Sequence, residues 1–226
     1  MLRVGLTGGL GSGKSTAARL FAAQGAHVLQ SDAIGRELME PGRAVYAKII
    51  DHFGKSVVQP DGRLDRVELA KVAFVEGRVE ELNAIVHPAV ISRQAELTNA
   101  IFQKDSQAVV IVESALIFET KYGITVGADS KPWHSRFDKI ILVTAPEEVK
   151  IARFIARSEA GSSLTQERRT ELEAEARRRM AQQIPDEQKI ALCDYVLTNG
   201  GSLTELEWQV DQLWPLLKDA AESSAA

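Results

Sequence analysis

Near the start of the chain, Gly8-Gly9-Leu10-Gly11-Ser12-Gly13-Lys14-Ser15 has the spacing of a phosphate-binding loop, G-x-x-x-x-G-K-[ST]. Each residue type has a chemical reason to be there. Glycines let consecutive backbone N–H groups turn toward an anion, and a helix N-terminus adds partial positive charge. Lys14 brings a point charge to the β- and γ-phosphates, and the Ser15 hydroxyl is a magnesium ligand. Thr16 closes the cradle. The loop alone says that a nucleotide phosphate is held, not what happens to it.

The flanking elements suit that use. Leu2 to Leu6 is an apolar run of strand length. Lys14 to Gln24 has Ala17, Ala18, Leu20 and Phe21 on one helical face, with Gly25 as the stop. A second short strand, Ala26 to Leu29, leads to Asp32. Ligands of a parallel sheet gather at the carboxyl ends of its strands, so Asp32 and the loop belong at one edge. A carboxylate facing a γ-phosphate can take the proton of an attacking hydroxyl. Asp32 can also simply cap a helix over Ala33 to Met39. The apolar run Gln107 to Val112 reads as a buried strand ending in Glu113, which either holds magnesium through water or caps a turn. Lys139 to Val143 is a fourth strand, followed after Pro146 by a helix carrying Arg153 and Arg157 one turn apart.

Between the second and third strands the pattern is wholly helical: Ala44 to Phe53, a helix after Arg66 with Val67, Leu69, Ala70 and Phe74 as its apolar set, Glu80 to Val86 stopped by His87-Pro88, and Ala89 to Phe102. This reads as an insertion covering an acceptor site. His87 is either a helix-terminal imidazole or a substrate contact, and Asp65 and Arg66 suit a helix entry. Thr120 to Phe137 lacks periodicity and reads as a flap or a family-specific insertion. Glu167 to Gln183 is dense in charge. Its pairs Glu173 with Arg177 and Glu175 with Arg179 explain a solvated helix face. A lid closing over the nucleotide would use such arginines against the charge on a transferring phosphoryl group. The last strand, Asp194 to Leu197, runs into Asn199-Gly200-Gly201, either a turn or an approach to a flat base. Leu203 to Leu217 closes the chain as a helix, and Ala220 to Ala226 reads as frayed.

Composition is that of a globular protein: 226 residues, 45% hydrophobic and 26% charged. A net charge of −4 gives no electrostatic footprint for nucleic acid. No apolar run approaches a membrane span, and the first strand begins too early to leave room for a signal peptide. One cysteine, Cys193, forms no disulfide framework. These features suit the cytoplasm.

Taken in order, the motifs resemble the dephospho-coenzyme A kinase family from Val4 to about Glu207. The loop run Gly5 to Ser15, the stretch Asp61-Gly62-Arg63-Leu64-Asp65-Arg66 with Leu69 and Phe74, and Leu82 to Pro88 carry the likeness. So do Leu116-Ile117-Phe118-Glu119, Arg179 to Pro185 and Asp194 to Gly201. Gln30 and Ala115 depart from the family's usual aspartate and proline, and the segments 120–137 and 161–175 look longer than usual. The resemblance implies a three-layer α/β P-loop kinase fold with a parallel five-stranded sheet. It divides the chain into a nucleotide-binding core (1–38, 105–156 and 184–219), a helical substrate domain (39–104), a lid (157–183) and a flexible tail (220–226). It implies ATP- and Mg2+-dependent phosphorylation of the ribose 3′-hydroxyl of dephospho-CoA. Gly8, Gly9, Gly11, Ser12, Gly13, Lys14, Ser15 and Thr16 would hold ATP, with Ser15 on the metal. Asp32 would act on the hydroxyl, and Arg157 and Arg179, with Arg153, would close over the phosphoryl group. Asn199 and Gly200 lie where the family binds adenine, and Arg36, His87 and Phe118 fall on the acceptor side.

The expected partner is a small molecule, with no nucleic acid or membrane, and the expected state a monomer or weak homo-oligomer. The alternative is another P-loop small-molecule or nucleotide kinase, which would share the loop and lid but accept a different group. A nucleotide switch is a rival of another class, but the chain lacks the Asn-Lys-x-Asp run of a guanine-specific one.

Overall fold

A computed structural model describes residues 1–119, 133–158 and 165–223. Five parallel strands, β1 (Leu2–Thr7), β2 (His27–Gln30), β3 (Val109–Glu113), β4 (Lys139–Thr144) and β5 (Tyr195–Thr198), form one sheet in the order β2-β3-β1-β4-β5. The expected three-layer α/β P-loop kinase fold is therefore present. Register places Glu113 opposite both Leu6 and Gln30, so β1, β3 and β2 end side by side. Everything that follows those three strands emerges at one edge.

The strands are apolar on both sides because both faces are covered. On one face α1 (Lys14–Ala23) and α9 (Leu203–Ser223) bury Ala17, Ala18, Phe21, Leu206, Val210 and Leu213 against Leu2, Val4 and Leu6. On the other, Ile117, Trp133 and Phe137 pack on Val112 and Ile140. The expected closing helix extends further than its Leu203–Leu217 pattern. It runs to Ser223, with Pro215 inside it and Ala221 fully buried. Residues 220–223 are thus helix rather than frayed tail, because Ala221 joins the sheet cluster and its carbonyl accepts a hydrogen bond of 2.6 Å from the Met1 ammonium.

The segment expected as an insertion, 39–104, holds α3 (Ala44–Phe53), α4 (Arg66–Ala70) and α5 (Val79–Phe102), and α2 (Ser31–Leu38) leads into it. It has its own core of Val45, Ile49, Phe53, Val57, Leu69 and Val72. Three expectations are corrected here. Asp32 does not cap from outside: β2 runs directly into α2, and Asp32 lies in that helix's first turn. The His87-Pro88 stop is absent, and α5 is one helix of 24 residues. A proline costs one backbone hydrogen bond there, while packing against α2 and α3 on one half and β3 on the other holds the helix together. The apolar set after Arg66 is also shifted: Leu69, Val72 and Ala73 are buried, whereas Val67 and Phe74 are 80% and 72% exposed. For Phe74 the cause is a π-turn over Lys71–Val75, which widens the helix and changes its phase, whereas Val67 lies before it in the first turn of α4. Asp65 is the helix entry expected, its Oδ1 accepting from the N–H groups of Val67 and Glu68 at 3.0 and 3.1 Å.

After β4 come α6 (Glu147–Ser158), the charged α7 (Gln166–Ala181) and α8 (Asp186–Ile190). The break around Gly161 and most of the segment 120–137 fall outside the described residues.

Candidate active site

The loop between β1 and α1 is shaped by glycines. Gly11 and Gly13 have φ of +72° and +92°, where other residues are strained. A Cβ at Gly13 would also strike Asn199, and one at Gly11 the Lys150 carbonyl. Asn199 is buried, and its amide donates to the Ser12 carbonyl at 2.8 Å while accepting from Arg153 at 3.2 Å. Its side chain therefore braces the loop from behind. Gly200 lies against the Pro146 ring.

Lys14 curls back so that Nζ donates to the carbonyls of Gly8 (2.8 Å) and Gly9 (3.1 Å). Burial pushes its pKa down to about 8. The carboxylates of Glu113 and Asp32 oppose that shift, while Lys189 and Arg157 add to it. These groups therefore surround one ammonium: two carboxylates at or just past strand ends, and two cations from α8 and α6. Ser15 Oγ donates to Glu113 Oε1 at 2.6 Å. Magnesium takes few protein ligands and completes its shell with water and phosphate oxygens. A hydroxyl beside a carboxylate, next to glycine-turned N–H groups, is a donor set that fits it. Among the described residues no cluster of three or more acidic, histidine or cysteine side chains offers another metal site.

The other elements converge on the loop. Gln183, at the end of α7, accepts from the Leu10 N–H at 3.0 Å. Asp186 pairs with Lys150 and accepts from Thr144 Oγ1 at 2.6 Å. Glu119 reaches the buried Lys189, their closest atoms 2.8 Å apart. Arg157 donates to the Arg153 carbonyl, 3.2 Å away. Arg179 pairs with Glu175 and lies over the Phe154 ring of α6, 5.5 Å from its centre. Thr16 accepts from Arg19 at 3.3 Å.

Across Asp32 from the loop opens a cavity of about 470 Å³. Asp32, Arg36, His87, Gln94, Ser114 and Arg136 line it. Arg36 Nε donates to the Asp32 carbonyl at 3.1 Å. Burial lowers the His87 pKa, Glu80 opposing and Arg136 adding to the shift. Three of the four expected acceptor-side residues, Asp32, Arg36 and His87, thus face one space. Phe118 does not line it: its ring meets Trp133 edge-on at 5.1 Å, in the third apolar cluster.

Gln94 and Arg136 escaped the sequence reading. Gln94 continues the buried stripe of Val90 and Thr98 on α5. A polar residue in an apolar i, i+4 row was its signal. Arg136 lies inside the aperiodic segment Thr120 to Phe137 and had none. Glu119, Gln183 and Lys189 also went unassigned, although the first two stand in runs that resemble family motifs.

A family model described as dephospho-CoA kinase matches residues 2–205. The dephospho-CoA kinase of Thermobifida fusca is 36% identical over 219 residues, covering 96% of this chain and 97% of the relative. A Thermus thermophilus protein of solved structure is 30% identical with a TM-score of 0.69, covering 96% of this chain and 97% of that one. The solved dephospho-CoA kinase of Campylobacter jejuni is 20% identical with a TM-score of 0.58, covering 95% and 96%, and shares the fold. With the loop, the acid at the neighbouring strand end and the cavity beyond it in place, these matches mean that the chain belongs to the dephospho-CoA kinase family.

Proposed function

We propose that this chain binds magnesium-ATP on the loop Gly8–Thr16 and transfers the γ-phosphoryl group to the ribose 3′-hydroxyl of dephospho-CoA seated in the Asp32 cavity. The observation that carries this reading is the position of Asp32. It lines the cavity and also lies close enough to Lys14 to act on that ammonium's charge. One carboxylate therefore lines the cavity and bears electrostatically on the loop's lysine.

The roles of the residues follow from their placement. Lys14 exchanges its loop carbonyls for phosphate oxygens, and the loop N–H groups take the remaining charge. Ser15, with Glu113 beside it, would hold the metal, which when bound screens the phosphate oxygens and draws electrons toward the leaving group. Asp32 accepts the hydroxyl proton as the acceptor oxygen forms its bond to phosphorus. The bond from that phosphorus to the bridging oxygen breaks, and ADP leaves with the electron pair. Arg157 and Arg179 belong to the lid side, where closure excludes water. Asn199 and Gly200 stand beside the loop, in reach of a base. No described helix is long and apolar enough to cross a membrane. The reading is of a cytoplasmic enzyme, a monomer or weak homo-oligomer.

Coupled turnover of Asp32→Asn tests it. Wild type should phosphorylate dephospho-CoA in preference to adenosine monophosphate or a sugar. The variant should lose on the order of 10²- to 10⁴-fold in kcat with ATP affinity nearly intact. Near-wild-type turnover would remove Asp32 from its role, and preference for another acceptor would favour the alternative kinase reading.

A further inference from the structure

Arg136 is the least expected residue of the cavity. It lies within the segment 120–137, which looks longer than is usual in the family. The residue is half-buried, and burial lowers its pKa to about 10. Among the described residues no carboxylate pairs with it. It stacks over the Phe137 ring at 4.9 Å, and Nη2 donates to Gln94 Oε1 at 3.0 Å.

That bond is the first of three. Gln94 Nε2 donates to Ser31 Oγ at 2.8 Å, and Ser31 Oγ donates to the Glu113 carbonyl at 2.8 Å. Gln94 is 5% exposed, so its amide is fixed at both ends inside the protein. The chain of bonds passes through the residue before Asp32 and ends on the residue whose carboxylate meets Ser15. Arg136 is thereby held in a set position relative to both the acid and the phosphate loop. A half-buried cation, held in place by a buried amide and facing a cavity, is a site for an anion.

We propose that Arg136 binds the diphosphate of the acceptor, so that the 3′-hydroxyl is presented to Asp32 from a fixed distance. This rests on the acceptor reading above. In that reading the cavity receives a nucleoside whose 5′ side carries two phosphates, and Arg136 is the lining cation tied through Gln94 and Ser31 to the strand end beside Asp32. Gln94 and Ser31 are positioning residues acting through it.

Steady-state kinetics of Arg136→Met and Arg136→Lys, with adenosine as an inhibitor lacking the diphosphate, test the assignment. Wild-type turnover of dephospho-CoA in the same assay checks the acceptor reading on its own, and the ratio of variant to wild type checks Arg136. The Met variant should raise the KM for dephospho-CoA on the order of ten- to a hundredfold, leaving the KM for ATP within about twofold. The Lys variant should recover part of that loss. The adenosine inhibition constant against dephospho-CoA, at saturating magnesium-ATP, should not move. An unchanged acceptor KM in Arg136→Met would overturn the proposal. So would an equal loss for dephospho-CoA and adenosine, since that would leave Arg136 a packing role only.

Discussion

Lys14, in its proposed role, would be kept ready for phosphate at a cost to the empty protein. Its ammonium is buried and held by two neutral carbonyls, and its pKa falls to about 8 from an ordinary value near 10.5. Below pH 8 both folded and unfolded chains carry the proton, and the folded state bears the full desolvation cost. Between about pH 8 and 10.5 the unfolded chain binds more protons, so this group's contribution to stability improves as pH rises. ATP binding has the opposite dependence. Phosphate oxygens favour the charged form, so binding takes up a proton once the free enzyme has lost it. The KM for ATP should be flat below pH 7.5 and climb above pH 8 by up to about tenfold per unit. Lys14→Met should abolish that slope, weaken both ATP binding and turnover, and leave the empty protein as stable as wild type or more so. A Met variant that kept the slope would assign it to another group. At this scale the sequence was informative where chemistry demands a fixed spacing. Gly8 to Ser15 and Asp32 were legible because loop and strand-end positions follow from short local patterns. Gln94 and Arg136 were not, because what brings them together is a contact between α5 and the aperiodic segment Thr120 to Phe137.

Elements were legible where one periodicity ran unbroken. The strands, α1 and α3 came through within a residue or two, and α7 kept the expected pairs of Glu173 with Arg177 and Glu175 with Arg179. Misreadings occurred where tertiary packing overrode a local signal. Pro88 stops an isolated helix, yet α5 passes through it, and the bend in hydrogen bonding falls beside His87 in the cavity wall. The π-turn at Lys71–Val75 could not be seen in a pattern counted at 3.6 residues per turn. The small residues after Asp219 looked like a fraying end, yet Ala221 is fully buried. This difference gives a test by truncation. Ending the chain after Ser223 should change stability by less than about 0.5 kcal/mol in urea denaturation. Ending it after Asp219 should cost about 1–2 kcal/mol, since it removes Ala221 from the sheet cluster and the carbonyl that meets Met1. Equal stability of the two truncations would restore the frayed reading.

Across the whole molecule, the buried residues divide into separate clusters. Ile49 and its neighbours in the insertion share no buried residue with the cluster around Leu6, Phe21 and Leu206 on the sheet. The loop and Lys14 stand on the sheet, whereas Arg36 comes from α2 and His87 and Gln94 from α5. Ser114 and Arg136 line the same cavity from the sheet side, so the proposed acceptor side rests only in part on the insertion's own core, joined to the sheet mainly where α5 meets β3 and α2 follows β2. Such units open locally with their own free energies. Ile49→Ala should cost about 2–5 kcal/mol within the insertion, the usual range for a buried aliphatic truncation. Its effect on function should be one-sided. The KM for dephospho-CoA should rise, while affinity for a non-hydrolysable ATP analogue stays within about twofold. Hydrogen exchange should locate the damage, with faster exchange over 44–57 and 66–75 and unchanged protection in β1, β3 and β4. Loss of protection spread evenly through sheet and insertion, with ATP affinity falling in step, would show one cooperative core. Acceptor binding could then not be tuned through the insertion without also disturbing the phosphate loop.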